Sequence, residues 1–312
     1  MKVLVTGAAG FIGSFVLQAL QAQGFEVVAL DNLSMGKQEQ VLEGIPFYQT
    51  DITERGLESI FKSEKPDYVI HLAAQTSVME SISNPTEDGH INILGTLNML
   101  RHSQKYGVRK FVLASSAAVY GDPSQLPVKE DASLIPLSFY ALSKISAERY
   151  VRLFESMFGL RSCILRFSNV FGPNHTGGVI TSMISRLMDG NVPIIFDGSQ
   201  TRDFVYVKDV ATACVNAMKS DSTGIFNISS STEISINETY QTISSLMNVD
   251  VKPIFKPSRE GEIKRSMLLN TKALTLLEWM PSYSFKEGLK ETVDYYRMSK
   301  TVKGPEEVIV VS

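Results

Sequence analysis

Six short runs of β-branched and other apolar residues constrain this chain more than any other feature. They are KVLVT (2–6), EVVALD (26–31), IPFYQT (45–50), DYVIHLA (67–73), KFVLASS (110–116) and RSCILRF (161–167). Each is apolar nearly throughout, without polar residues at alternate positions. Both faces of such strands must be covered, which is the condition of a parallel sheet packed between helices. Segments 11–23, 54–64, 88–106 and 139–158 fall between the runs and carry apolar residues three and four apart, the spacing of amphipathic helices. Strand–helix alternation of this kind predicts right-handed βαβ units in a doubly wound α/β sheet of Rossmann type. A length of 312 residues suits one large domain of that class or two closely coupled ones.

After Phe171 the regularity fails. The loop residues GPNHTGG precede a helical segment at about 179–189, then PIIF, a charged turn and FVYVKDV. GIFNIS (224–229) reads as a further strand, and Ser235-Ile-Asn-Glu238 as a capping box opening a helix to about 247. A last helix is expected near 285–297. The division expected is a Rossmann domain over 1–170, to which about 203–230 return, and a smaller interleaved lobe over most of 171–312.

The 30 basic and 33 acidic residues are nearly balanced and form no long run of one sign, which leaves no electrostatic footprint for nucleic acid or an anionic membrane. The first apolar run breaks at glycine after six residues, too short for a secretory or membrane segment, and a cytoplasmic protein is expected. Cys163 and Cys214, isolated in apolar surroundings, read as reduced core residues. His71 reads as a hydrogen-bonded core residue; His90, His102 and His175 lack ligand spacing, so no metal site is expected.

Gly7-Ala-Ala-Gly10-Phe11-Ile12-Gly13 follows the first strand directly and opens the first helix. Glycines there permit a tight turn, close approach of backbone to a pyrophosphate, and helix-on-strand packing, and the helix N-terminus attracts the phosphates. Asp31 ends the next strand, 18 residues after Gly13. A carboxylate at that point hydrogen-bonds a ribose diol and repels a 2′-phosphate, which favours NAD over NADP. Asp51-Ile52 ends the third strand, where it can flank an adenine, and Leu72-Ala73-Ala74 ends the fourth, where small residues let the cofactor lie against the chain.

Tyr140-Ala-Leu-Ser-Lys144 places a phenol and an ammonium one helical turn apart on one face. The lysine and a nicotinamide cation would both favour the phenolate, so Tyr140 is expected to act as a base toward a hydroxyl while hydride leaves the same carbon. Ser116 ends the fifth strand, at the edge where open α/β sheets bind ligands, and its hydroxyl can hold the reacting oxygen.

These segments, together with ASSAAVYGD (114–122) and Leu165-Arg-Phe-Ser-Asn-Val-Phe-Gly-Pro173, resemble the extended short-chain dehydrogenase/reductase family, and within it the UDP-glucose 4-epimerases. The match runs to about residue 297. The resemblance implies catalytic roles for Ser116, Tyr140 and Lys144. It implies NAD contacts at the glycine loop, Asp31, Asn32, Ser34, Asp51, Ile52, Leu72, Ala73, Ala74, Gln75, Asn92 and Ser115. On the substrate side it implies diphosphate contact at Asn169, uridine contacts at Val179 and Ile180, base packing at Phe196, and a phosphate clamp of Arg202 and Arg259. The usual Pro-Gly-Asp after the second arginine is here Glu260-Gly261-Glu262, with Glu262 able to accept from a ribose hydroxyl, and the usual Asp farther on is Asn270. The resemblance further implies a homodimer through a four-helix bundle. The candidate segments are 91–106 and 140–158, with Leu94, Leu97, Met99, Tyr150, Leu153, Phe154 and Met157 as apolar surface.

Within that family the reaction is narrowed by what is missing. Related 4,6-dehydratases carry an acid just after the catalytic Ser or Thr, and the decarboxylases a Glu; this chain has Ala117 and Ala118. Uronate epimerases favour Thr where Asn169 stands, with an Arg shortly after, and residues 169–176 contain no Arg. The remaining expectation is reversible inversion at C4 of a UDP-hexose through a 4-keto sugar. Ser266, at a position where a bulky tyrosine restricts some members, leaves room for a 2-N-acetyl group. The alternatives left open are a net nucleotide-sugar dehydrogenase or 4-ketoreductase, a UDP-glucuronate 4-epimerase, and a non-catalytic NAD-binding regulator.

Overall fold

The apolar runs assemble into one seven-stranded parallel sheet in the computed structural model, which describes residues 1–257 and 263–302. Lys2–Thr6 (β1), Glu26–Asp31 (β2), Phe47–Gln49 (β3), Tyr68–His71 (β4), Lys110–Ser116 (β5) and Ser162–Phe167 (β6) form six of the strands. Gly224–Ile228 pairs with β6 and gives the order Gly224–Ile228, β6, β5, β4, β1, β2, β3. The chain steps outward from β1 in one direction and from β4 in the other. Helices following these two strands therefore cover opposite faces, and a crevice opens beyond the carboxyl ends of β1 and β4.

On one face Val3, Val5, Ile70, Val112 and Leu165 pack against helices Phe11–Ala22 and Val207–Lys219. Cys163 and Cys214 lie buried and unbridged in this layer, and burial pushes the Cys214 thiol up to about 12. On the other face Leu4, Val28, Val69, Phe111 and Leu113 pack against helices Leu57–Glu64, Thr96–Lys105 and Phe139–Phe158. The helix expected over 139–158 has those bounds because both ends are capped. Ser138 Oγ accepts from Ala141 N at 3.1 Å, and Gly159 closes the helix with a φ of 71°.

The helix expected over 88–106 is built differently. An Asn84 cap and Pro85 start it earlier, as Pro85–Gly89, and a wider π-helical coil at His90–Gly95 interrupts it before Thr96–Lys105. A further helix, Val78–Ser83, precedes it. Of the apolar residues on the two candidate dimer segments, Met99 is fully buried against the protein's own sheet. Tyr150 and Phe154 also lean on that core, whereas Leu94, Leu142, Leu153 and Met157 stand exposed.

Beyond β6, Asn169–Phe171 pairs with Phe204–Tyr206, and Ile194–Phe196 with Ile254–Lys256. Helices Gly178–Met188, Ile236–Met247 and Phe285–Val302 surround a separate core that includes Phe171, Ile184, Ile243 and Leu289. The capping box forms as expected: Ser235 Oγ accepts from Glu238 N at 3.1 Å, and Ser235 N donates to Glu238 Oε2 at 2.8 Å.

His71 sits at the switch point, hydrogen-bonded through Nδ1 to Thr6 Oγ1 at 2.7 Å and through Nε2 to Thr96 Oγ1 at 3.1 Å. Burial, with the Lys144 charge, lowers its pKa to about 3, so the folded protein holds it neutral. The unfolded chain takes up this proton below its ordinary pKa near ~6.5, so the stability is complete above that pH and is lost as pH falls toward the folded value. Between pH 7 and pH 5 the loss from this residue is about 2 kcal/mol. Chemical denaturation at the two pH values should show the gap narrowing by about that amount in His71→Gln, whatever the absolute stability of the variant.

Candidate active site

Close backbone approach shapes the loop between β1 and helix Phe11–Ala22. Gly7 has a φ of 64°, and a Cβ there would lie 2.8 Å from Ala73 N. A Cβ on Gly13 would lie 2.0 Å from Gly7 O. Gly10 caps the helix without a side-chain hydrogen bond, which leaves the first-turn amides of Phe11, Ile12 and Gly13 to a ligand at the positive end of the helix dipole. Gly36, which sequence reasoning missed, closes the loop from the other side. Its Cβ would lie 2.6 Å from the Ala9 carbonyl, and the next amide, Lys37 N, donates to Ala9 O at 3.1 Å.

The carboxylate of Asp31 is buried and oriented by main chain: Oδ2 accepts from Ala9 N at 3.0 Å and Oδ1 from Leu33 N at 2.8 Å. Each oxygen retains acceptor capacity for a ribose hydroxyl. Asn32 Nδ2 donates to Asp51 Oδ2 at 2.7 Å, and Ser34 N donates to Asn32 Oδ1 at 3.0 Å. Burial opposes the Asp51 charge, but hydrogen bonds from Thr53 and Asn32 outweigh it and hold this carboxyl below the usual range. The Ile52 side chain belongs to the core, so only its main chain is placed for a ligand. These groups fit a dinucleotide with a free ribose diol.

Loop 72–75 is held from behind. Leu72 N donates to Thr6 O, and Ala73 N to Thr6 Oγ1, both at 3.2 Å. Asn92 is 1% exposed, and its side chain accepts from Gln75 N at 2.9 Å and donates to Gln75 O at 3.0 Å. These two bonds hold the loop at Gln75. Ser115 Oγ donates to Glu148 Oε1 at 2.6 Å. The sequence offered a signal for Glu148, one turn beyond Lys144, and for Arg166, a lone charge in an apolar strand.

Ser116, Tyr140 and Lys144 come together at the carboxyl end of β5. Ser116 Oγ accepts from Ala118 N at 3.2 Å, and its hydroxyl lies near enough to the Tyr140 phenol to act on its acidity. Lys144 Nζ stands 6.0 Å from the Tyr140 ring centroid and donates to Ala114 O at 3.1 Å. The expectation that the lysine lowers the Tyr140 pKa is not met in the protein alone. Burial dominates and pushes the phenol up to about 12, and it pushes Lys144 down to about 8. The nearby Ser116 hydroxyl works against burial by favouring the phenolate.

On the far side of the crevice, Asn169 is exposed at the start of its strand, and Phe196 ends Ile194–Phe196. Val179 is half-buried, whereas Ile180 faces the lobe core and offers only main chain. Arg202 Nη1 donates to Thr201 O and Ile263 O, both at 2.8 Å. The neighbouring Asp203 accepts from Leu268 N at 3.0 Å and so holds the segment carrying half-buried Ser266. Arg259 and Glu262 lie outside the described residues.

The sequence profile of the NAD dependent epimerase/dehydratase family matches residues 3–229. The chain belongs to that family. A putative UDP-glucose 4-epimerase of Methanocaldococcus jannaschii is 40% identical over 301 residues, covering 95% of this chain and 98% of the relative. The crystal structure of a UDP-glucose 4-epimerase from Thermotoga maritima with UDP-glucose is 39% identical, with a TM-score of 0.93 over 96% of this chain and 99% of that one. A UDP-N-acetylglucosamine 4-epimerase from Methanobrevibacter ruminantium, in complex with UDP-N-acetylmuramic acid, is 35% identical, with a TM-score of 0.91 over 96% and 98%.

For a member of the NAD dependent epimerase/dehydratase family, the Gly7–Gly13 contact is where cofactor affinity should be most sensitive. A side chain at Gly13 forces the loop off Gly7 O, and loss of one charge-assisted amide–phosphate hydrogen bond, about 1.5–3 kcal/mol, should weaken NAD binding by roughly tenfold or more. Equilibrium binding should show that loss in Gly13→Ala and none in Gly56→Ala, where an added Cβ meets nothing within 4 Å.

Proposed function

We propose that this chain is an NAD-dependent 4-epimerase of UDP-hexoses. The observation that carries the reading is the convergence of Ser116, Tyr140 and buried Lys144 at the carboxyl end of β5, followed by Ala117 and Ala118 where an acid would be needed for dehydration. Gly7–Gly13, Asp31 and loop 72–75 would hold NAD, which when bound accepts the C4 hydride and returns it. Tyr140 removes the O4 proton and later gives it back, Ser116 orients that oxygen, and the Lys144 ammonium favours the phenolate electrostatically. Asn169, Phe196 and Arg202, with Arg259, would anchor the nucleotide diphosphate, leaving the 4-keto sugar able to turn over before hydride returns to its other face. Residues 1–170 with about 203–230 form the cofactor half, and most of 171–312 the substrate half.

The exposed side chains Leu94, Leu142, Leu153 and Met157 support a homodimer in which the 91–106 and 140–158 segments of two copies form a four-helix bundle. Light scattering should report a monomer for Leu153→Lys combined with Met157→Lys.

Half-buried Ser266 supports acceptance of 2-N-acetylhexosamines beside plain hexoses. The purified protein, assayed without added NAD, should interconvert UDP-galactose with UDP-glucose and UDP-N-acetylgalactosamine with UDP-N-acetylglucosamine. In Ser266→Tyr the second activity should fall about tenfold or more while the first persists. Net accumulation of NADH with no epimer formed would overturn the reading.

A further inference from the structure

Lys144 is 6% exposed, and a buried ammonium is costly unless a negative charge lies near it. The groups that act on it are Tyr140 and Glu148 on its own helix, Asp88 on Pro85–Gly89, and His71 at the end of β4. His71 is neutral in the fold. Glu148 is already matched, since Arg166 Nε and Nη2 reach its two oxygens at 2.9 and 2.7 Å. Asp88 differs. It is 1% exposed, and its Oδ1 accepts from two neutral amides, Gln75 Nε2 at 3.0 Å and Asn92 Nδ2 at 3.2 Å.

We propose that Asp88 is a positioning residue of the catalytic site: its buried carboxylate, tied through Gln75 and Asn92 to loop 72–75 and through Asn92 to Ser143 beside Lys144, is the negative charge set against that lysine. Asn92 Nδ2 also reaches Ser143 Oγ at 3.0 Å, so carboxylate, loop and catalytic helix are tied together. The widened coil at His90–Gly95 lies between the helix turn bearing Asp88 and Thr96–Lys105, and such coils recur where a site needs a side chain re-aimed. The Asp88 charge acts on Lys144 and Tyr140 in the same sense, raising the pH at which either releases its proton. The inference rests on Ser116, Tyr140 and Lys144 being the reacting set.

Asp88→Asn retains an acceptor oxygen and the size of the side chain while removing the charge. In the NAD-loaded protein both limbs of the pH profile of kcat/KM should move to lower pH by roughly one unit. The Tyr140 phenolate, read by ultraviolet difference against Tyr140→Phe, should appear at correspondingly lower pH. A slower enzyme with unmoved limbs and an unmoved phenolate would overturn the proposal. A stability cycle tests the pairing without turnover. Asp88→Asn should lower Tm in the parent protein but raise it in Lys144→Met, where the carboxylate has lost its cation. A lowered Tm in both backgrounds would overturn the proposal. Because the cycle reads charge pairing alone, its outcome is distinguishable from failure of the assigned reaction.

Discussion

The Glu148–Arg166 ion pair holds the catalytic half of this protein in register. Both side chains are almost fully buried, and the pair joins the helix bearing Tyr140 and Lys144 to β6. Ser115 donates to Glu148, which anchors the end of β5 one residue before Ser116. Arg166 Nη1 donates to Tyr120 Oη at 2.8 Å and Glu130 O at 3.0 Å, and Tyr120 passes the chain on to Asn227 Oδ1 at 2.7 Å in the edge strand. Removing one charge of such a pair leaves the other buried and uncompensated, at a cost of about 3–5 kcal/mol. Catalytic geometry is thereby set by charges that the reaction never touches.

The two sides of the crevice are built by different physics. The cofactor side depends on main chain meeting main chain, at Gly7 against Ala73, Gly13 against Gly7 and Gly36 against Ala9. The chemical side depends on buried side chains whose protonation is set by desolvation and by neighbouring charges. In the protein alone desolvation prevails, with Tyr140 held as a phenol and Lys144 brought down to about 8. A cation brought against Tyr140 would shift that balance toward the phenolate.

Much of this was legible in the chain. The continuous apolar runs located all six leading strands, and the three-to-four apolar spacing located the helix bearing Tyr140 and Lys144. The π-helical coil was hidden because an inserted residue leaves no mark in a three-to-four spacing. Asn92 and Ser115 carry internal hydrogen bonds, to Gln75 and Glu148, that the sequence pattern did not reveal. A one-dimensional pattern cannot tell a ligand contact from the support behind it. Asp88 and Gly36 carried no motif; only burial and close approach reveal them.

By itself the sequence determined the doubly wound class, the glycine loop followed by Asp31 at the end of the next strand, and the Tyr140/Lys144 pair one helical turn apart. Each of these follows from spacing along one strand or one helix turn, which is local geometry. Tertiary structure alone decided which charges surround Lys144 and which way each polar side chain faces. It also placed a phenol from position 140 against a hydroxyl from position 116 in a site dry enough for burial to govern its acidity. Those outcomes depend on distances between elements far apart in the chain, and on the low polarizability of the interior they enclose.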